Sequence, residues 1–240
     1  MGKTTTAVNV AADLAIAGKR CVLVDIDPQG NATSGLGSEK RARGGSDAAL
    51  TAPSKPEAWI ETSRIDRLAL VPAADRLSSA EQLLRHEVDR YRQLKRALEH
   101  MEDRFEFVLI DCPPSSGLLT LNAIVAADHV IIPVQCEYYA MEGLAQMIHT
   151  LDLAEAEQEG PGAERHFLFT MYDPAEPLAG DIINEVLSHF ESRTFRTWIP
   201  RDPALSEAPS HGVPVIEYAP NSRGANAYVQ LAREIMDATE

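Results

Sequence analysis

Gly2-Lys3-Thr4-Thr5-Thr6, at the head of the chain, is the stretch whose reading decides the fold. It has the order of the back half of a phosphate-binding loop, G-x-x-x-x-G-K-[ST]. In such a loop backbone N–H groups curl round phosphates, the lysine reaches the outer ones, and the next hydroxyl holds Mg²⁺. Taken alone, Gly-Lys-Thr-Thr also fits an ordinary amphipathic helix with a polar start. The residues downstream separate the two readings. Ala7, Val8, Ala11, Leu14 and Ala15 recur at helical spacing over 4–17, Gly18 stops the helix, and the apolar run Cys21-Val22-Leu23-Val24 ends in Asp25. A helix that feeds a buried parallel strand is how a nucleotide-binding α/β fold continues past its phosphate loop.

Asp25-Ile26-Asp27-Pro28-Gln29-Gly30-Asn31 is a polar turn at the carboxyl end of a strand, the edge at which open α/β sheets bind ligands. Carboxylates two apart on an extended chain point the same way, so Asp25 and Asp27 can both face a bound Mg²⁺ or an attacking water. The plainer alternative is that they cap and turn the chain; behind a Gly-Lys-Thr start the catalytic reading is the stronger. A second hydrophobic strand, Phe105 to Ile110, leads into Asp111-Cys112-Pro113-Pro114-Ser115. A strand-end carboxylate that holds Mg²⁺, directly or through its water, is the second element a phosphate-loop NTPase needs.

Composition narrows the class. Among 240 residues, 45% are hydrophobic, enough for a substantial core, and one domain over 1–240 is expected. Twenty-two basic against 36 acidic residues leave a formal charge of −14, which disfavours broad attraction to nucleic acid or an anionic membrane. Cys21, Cys112 and Cys136 lie in or beside apolar runs without C-x-x-C spacing, so buried thiols of a reducing cytosol are expected rather than disulfides or a zinc site. No apolar run approaches the roughly 18 residues of a membrane span, and no signal peptide precedes the first helix; a cytoplasmic protein is the expectation.

The rest of the chain predicts alternating strands and helices. Residues 34–60 read as a loop with one short helix near 47–50, and Leu68 to Pro72 as a strand. Ser78 and Glu81 form a capping-box pattern that opens one long helix to about Asp103. Its basic residues Arg90, Arg92, Lys95 and Arg96 alternate with acids, as on a solvated face. A helix over 118–127, a strand over 129–134 and a helix over 141–153 follow. Next come a turn at Glu159-Gly160-Pro161-Gly162, a strand over 167–171, a helix over 182–190, a short strand over 195–199, an irregular stretch over 205–223, and a closing helix over 225–238. Strand-then-helix repetition implies right-handed crossovers: a doubly wound, mainly parallel α/β sheet with helices on both faces.

With those residues laid out, the chain resembles the ParA/Soj partition ATPases of the MinD-like deviant Walker A superfamily, over nearly its whole length. The matching blocks are Gly2 to Asn9, Val24 to Ala32, Leu109 to Ser115, and Leu205-Ser206-Glu207-Ala208-Pro209-Ser210-His211-Gly212. The resemblance implies an ATP-dependent homodimer that sandwiches ATP and Mg²⁺, hydrolyses slowly, and is stimulated by a ParB-like protein. It implies that Gly2, Lys3, Thr4 and Thr5 hold the nucleotide, with Lys3 on the outer phosphates, Thr4 on Mg²⁺ and Thr5 on the α-phosphate. Asp27 orients the attacking water, Asp111 sits near Mg²⁺, and Asp25 is a supporting acid.

Three departures stand out. The family loop is K-G-G-x-G-K-[ST]; its first lysine and the strand before it have no counterpart here, so the resemblance implies a missing first strand, central in the family's sheet, and a start upstream of Met1. Two arginine positions that help the family bind DNA read Ala175, within Pro174-Ala175-Glu176-Pro177, and Ala204, whereas Arg223 is kept. Nonspecific DNA binding is therefore expected to be weak or carried by Arg193, Arg196, Arg201 and Arg223. Two other readings stay open: an interaction module whose nucleotide site has decayed, and a metabolic ATPase of the wider superfamily, such as an iron–sulfur reductase protein.

Overall fold

The computed structural model describes residues 2–52, 55–137, 140–157 and 162–239. Helix α1 (Lys3–Ile16) starts from Gly2 at φ 81°, a left-handed conformation that only glycine adopts cheaply. It ends in a Schellman turn: Gly18, at φ 95°, donates to the Ala15 carbonyl and Lys19 to that of Leu14, at 2.9 and 3.1 Å. Strand β1 (Cys21–Asp25) follows, then α2 (Asn31–Gly35), α3 (Ser46–Thr51), β2 (Glu61–Thr62) and β3 (Leu68–Val71). After these come α4 (Leu77–Leu84), α5 (Gln93–Glu99), β4 (Phe107–Asp111), α6 (Leu118–Ala126), β5 (His129–Gln135), α7 (Ala140–Glu155) and β6 (Glu164–Thr170). The chain closes with α8 (Pro177–Phe190), α9 (Pro203–Glu207), α10 (Val215–Tyr218) and α11 (Arg223–Thr239).

Strand β1 is the axis of a four-stranded sheet ordered β2-β3-β1-β4, parallel except for β2, and β5 pairs with β6 in parallel. Alternation along β1 builds the two layers that the strand-helix order predicts. Cys21 and Leu23 pack with α1 and α11 on one face; Val22 and Val24 pack with residues of α3, α4, α5 and α6 on the other. A third cluster holds β5 and β6 against α7 and α8. Among the described residues β4 and β5 are each paired along one edge alone. Phe107 to Ile110 of β4 are accordingly half-buried, whereas every residue of β1 is buried. No helix of the described residues is long and apolar enough to cross a membrane.

Several sequence expectations need correction. The single long helix from Ser78 is two helices, α4 and α5, and Ser78–Glu81 is not a capping box. Glu81 instead accepts the Leu118 N–H at 3.0 Å, so it serves the start of α6. The break between α4 and α5 is held by buried Asn122, which accepts from Leu94 N at 3.2 Å and donates to the Arg90 carbonyl at 2.7 Å. The short helix expected near 47–50 is α3, and the loop over 34–60 holds in addition a 3-10 turn at Pro56–Ala58. Residues 195–199 form no strand: isolated bridges flank them at Thr194–Phe167 and Pro200–Tyr172, and Phe195 N donates to the Phe167 carbonyl and Ile199 N to that of Phe169, both at 2.9 Å. The irregular stretch over 205–223 holds α9 and α10. Asp202 caps α9 through Ala204 N at 3.0 Å and also accepts Gly224 N, in the first turn of α11, at 2.8 Å. Glu159, Gly160 and Pro161 of the expected turn lie outside the described residues.

Candidate phosphate-binding site

The first turn of α1 is fixed from behind. Asn9 donates to the Thr5 carbonyl at 2.7 Å and accepts Val215 N, at the start of α10, at 2.7 Å. The Thr6 hydroxyl shares a buried hydrogen bond of 3.1 Å with the Tyr228 hydroxyl of α11. The free N–H groups of a helix start and its positive dipole end then face the carboxyl ends of β1 and β4, a ready anion seat. Gly2 also sits beside the end of β6, where a Cβ on it would lie 3.6 Å from the Thr170 side chain. Asn9, Thr6 and Thr170 were not among the expected site residues; only tertiary contacts give them a part.

Asp25 and Asp111 occupy paired positions at the ends of β1 and β4. Both are buried, at 0% and 1% exposure. Their environments differ. Asp25 Oδ2 accepts Thr33 N and Thr33 Oγ1, each at 2.7 Å, and Oδ1 accepts Asp27 N at 3.1 Å. Burial raises its pKa, and those donors oppose the rise. Thr33 Oγ1 in turn accepts Ala73 N at 2.8 Å, which ties the turn to the segment after β3. Asp25 is thus occupied as a brace, and the structure puts its oxygens on the protein's own donors. Buried Asp27 accepts Gln29 N through Oδ1 at 2.9 Å and holds the same turn.

Asp111 accepts the Thr4 hydroxyl, while its Oδ2 is buried with no hydrogen-bond partner. Its pKa is pushed up to about 7, first by burial and then by the Asp25 and Asp27 charges, against the pull of Thr4 and Lys3. The Lys3 ammonium is likewise buried without a hydrogen bond. The site thus gathers Gly2, Lys3, Thr4 and Thr5 on one side and Asp111 and Asp27 on the other. An orphaned carboxylate oxygen beside a hydroxyl is the donor set of a hard cation, and an orphaned ammonium at a helix start suits phosphate oxygens. The residues fit Mg²⁺ and a polyphosphate. Burial pushes the Cys21 and Cys112 thiols up to about 12 and the Cys136 thiol to about 11. No cysteine joins a cluster of three or more metal-ligand groups among the described residues.

Comparison with known proteins agrees with this geometry. A protein-family model described as an AAA domain matches residues 1–160. The chain is 46% identical over 241 residues to the sporulation initiation inhibitor protein Soj of Bacillus subtilis (strain 168), covering 98% of this chain and 93% of that protein. It is 42% identical to the chromosome partitioning protein ParA of Myxococcus xanthus (strain DK1622), covering 98% and 84%. Among solved structures, it is similar to the crystal structure described as cobyrinic acid a,c-diamide synthase from Mycobacterium smegmatis with bound ATP analogue and magnesium. That likeness has a TM-score of 0.83 at 32% identity, over 98% of this chain and 89% of the other. Sequence similarity over nearly the whole chain and the site at the head of α1 lead to one assignment: the chain belongs to the Soj/ParA family of chromosome-partitioning ATPases.

Proposed function

We propose that the chain is an ATP-driven dimerisation switch that segregates a chromosome or plasmid or positions another cargo. The observation that carries this reading is the pair of opposite buried atoms, Lys3 Nζ and Asp111 Oδ2, left without partners at the start of α1. Leaving a buried polar group unpaired costs on the order of 1–3 kcal/mol, a cost that a ligand bearing both signs of charge offsets. Lys3 and the first-turn N–H groups would draw the phosphate oxygens, with Thr5 on the α-phosphate. Thr4 and Asp111 would hold Mg²⁺, directly or through water, and bound Mg²⁺ supplies neutralisation of the charge on the transferring phosphoryl group. Asp27 orients the attacking water, and Asp25 holds the Asp27 turn in place. Slow, Mg²⁺-dependent turnover stimulated by a ParB-like partner, and an ATP-bound homodimer, belong to the same proposal.

Nonspecific contact with DNA would rest on few cations. Ala175 is exposed, Ala204 is buried, and Arg201 is paired with Glu137 at 3.1 Å. Arg223 adjoins it by donating to the Arg201 carbonyl at 3.2 Å.

The test is the full chain carrying Asp27→Ala. A group that positions water acts chiefly in the transition state, so this variant is expected to bind ATP and Mg²⁺, turn over slowly and accumulate as an ATP-bound dimer in light scattering. Hydrolysis equal to that of the parent chain removes Asp27 from the role.

A further inference from the structure

The parallel pair β5 and β6 carries a second cluster at its other end. His129 lies opposite Glu164, and His166 is two residues on from Glu164, so all three side chains leave the same face of the two strands. His129 Nδ1 is 3.1 Å from His166 Nε2, and the two Glu164 oxygens lie 3.6 Å from His129 Nδ1 and 3.9 Å from His166 Nε2. Two imidazole nitrogens and one carboxylate oxygen thus lie within 4.8 Å of one another. One proton shared between the ring nitrogens satisfies a single contact, and the Glu164 distances exceed hydrogen-bond length. Three groups able to ligate a metal therefore cluster with one hydrogen bond among them.

We propose that His129, Glu164 and His166 form a divalent transition-metal site that takes Zn²⁺. Zinc is held at about 2.0–2.2 Å by His nitrogen and carboxylate oxygen in a tetrahedron. The edges of such a tetrahedron are about 3.3–3.5 Å by geometry from those bond lengths, so the observed 3.1, 3.6 and 3.9 Å separations need only small side-chain shifts. Two imidazoles and one carboxylate suit zinc rather than Mg²⁺, which takes oxygen ligands. The Phe195 ring stacks on His166 with centroids 5.4 Å apart and holds the imidazole in orientation. Three protein ligands leave a fourth position for water or a group from another molecule. The cluster is at the amino ends of β5 and β6, whereas Asp25 and Asp111 end their strands. Six rises along β5 put it about 20 Å from the carboxyl end of that strand, so it is separate from the phosphate-binding site.

The test is calorimetric titration of the tag-free full chain with ZnCl₂ after chelator treatment, in millimolar Mg²⁺ to occupy oxygen-rich sites, repeated with Co²⁺ as a coloured probe. One Zn²⁺ per chain is expected, with a visible Co²⁺ band of tetrahedral type. His129→Ala and Glu164→Gln should each weaken Zn²⁺ binding by at least about the 10–100-fold that even outer-shell changes cost, and remove the Co²⁺ band. Both side chains are exposed, so their metal-free melting temperatures should match the parent's, while Zn²⁺ raises only the parent's. Binding that survives both substitutions, or no Zn²⁺ binding by the parent chain, overturns the proposal.

Discussion

The turn that leaves β1 and the turn that leaves β4 start from carboxylates at paired positions in the sheet, and they are finished in opposite ways. Asp25 receives three hydrogen bonds from Thr33 and Asp27 and spends both oxygens on its own turn. Asp111 receives the Thr4 hydroxyl and keeps one buried oxygen unpaired, near an equally unpaired lysine. Burial alone therefore does not distinguish a brace from a ligand. The count of satisfied acceptor atoms does, because a buried polar group is almost always paired and an exception needs a reason.

The largest expected effect is on the satisfied side. Asp25→Ala removes the acceptor for two backbone N–H groups and a hydroxyl, all buried, and should destabilise the chain by about 3–5 kcal/mol, since each buried donor left unpaired costs about 1–3 kcal/mol. Urea unfolding measures it; a loss under about 1 kcal/mol would mean that Asp25 is not the brace that the three bonds imply.

Asp13 can break the comparison from outside the site. It is buried on α1, with both oxygens unpartnered, and burial pushes its pKa up to about 7. Burial is the cause of that rise, whereas at Asp111 Thr4 and Lys3 oppose it; the Asp13 charge in turn reaches the Tyr228 hydroxyl. An unfolded aspartate loses its proton near 3.9, so from there to about pH 7 the folded chain keeps a proton that the unfolded chain lacks. The Asp13 contribution to stability is thus greatest below about pH 4, falls by about 1.4 kcal/mol per pH unit, and levels off above about pH 7. Asp13→Asn should abolish that slope and stabilise the chain at about pH 8.5 by a few kcal/mol, at most about 4, with no change in ATP affinity. Unfolding of parent and variant at about pH 5 and about pH 8.5 gives the difference directly and cancels the contributions of other carboxyls. A gain equal at both values would mean that Asp13 does not titrate in this window.

How much of this was legible in the sequence follows from where each interaction's partners lie. Strands β1, β3, β4 and β5 are largely apolar runs, β6 has one from Phe167 although it starts at Glu164, and α1 has its helical period and Gly18, so local pattern goes most of the way for them. Gly2 to Thr5, Asp27 and Asp111 were legible as well, since motif and strand end travel together in the chain. The division of the helix after Ser78 was not, because Asn122 holds it from 28 residues away. Glu81 misled for a related reason: its bond to Leu118 N crosses 37 residues, and within α4 it looks like a capping residue. The contrast between Asp25 and Asp111 needed Thr33 and Thr4 placed in space. The His129, Glu164 and His166 cluster exists only once the register of β5 on β6 is known.

The smallest expected change in stability tests the central claim, that Lys3 and Asp111 are left unpaired for a ligand. Lys3→Met keeps the aliphatic stem of the side chain and deletes its buried, unpartnered ammonium. This variant should be more stable than the parent without nucleotide, by about 1 kcal/mol, and yet lose ATP binding in millimolar Mg²⁺. Melting the two proteins side by side, with and without Mg²⁺ and ATP, reads both quantities in one experiment. A higher melting temperature for Lys3→Met in the absence of ATP, and a ligand-induced rise in the parent alone, is the predicted pattern. An equal rise in both proteins would contradict the claim.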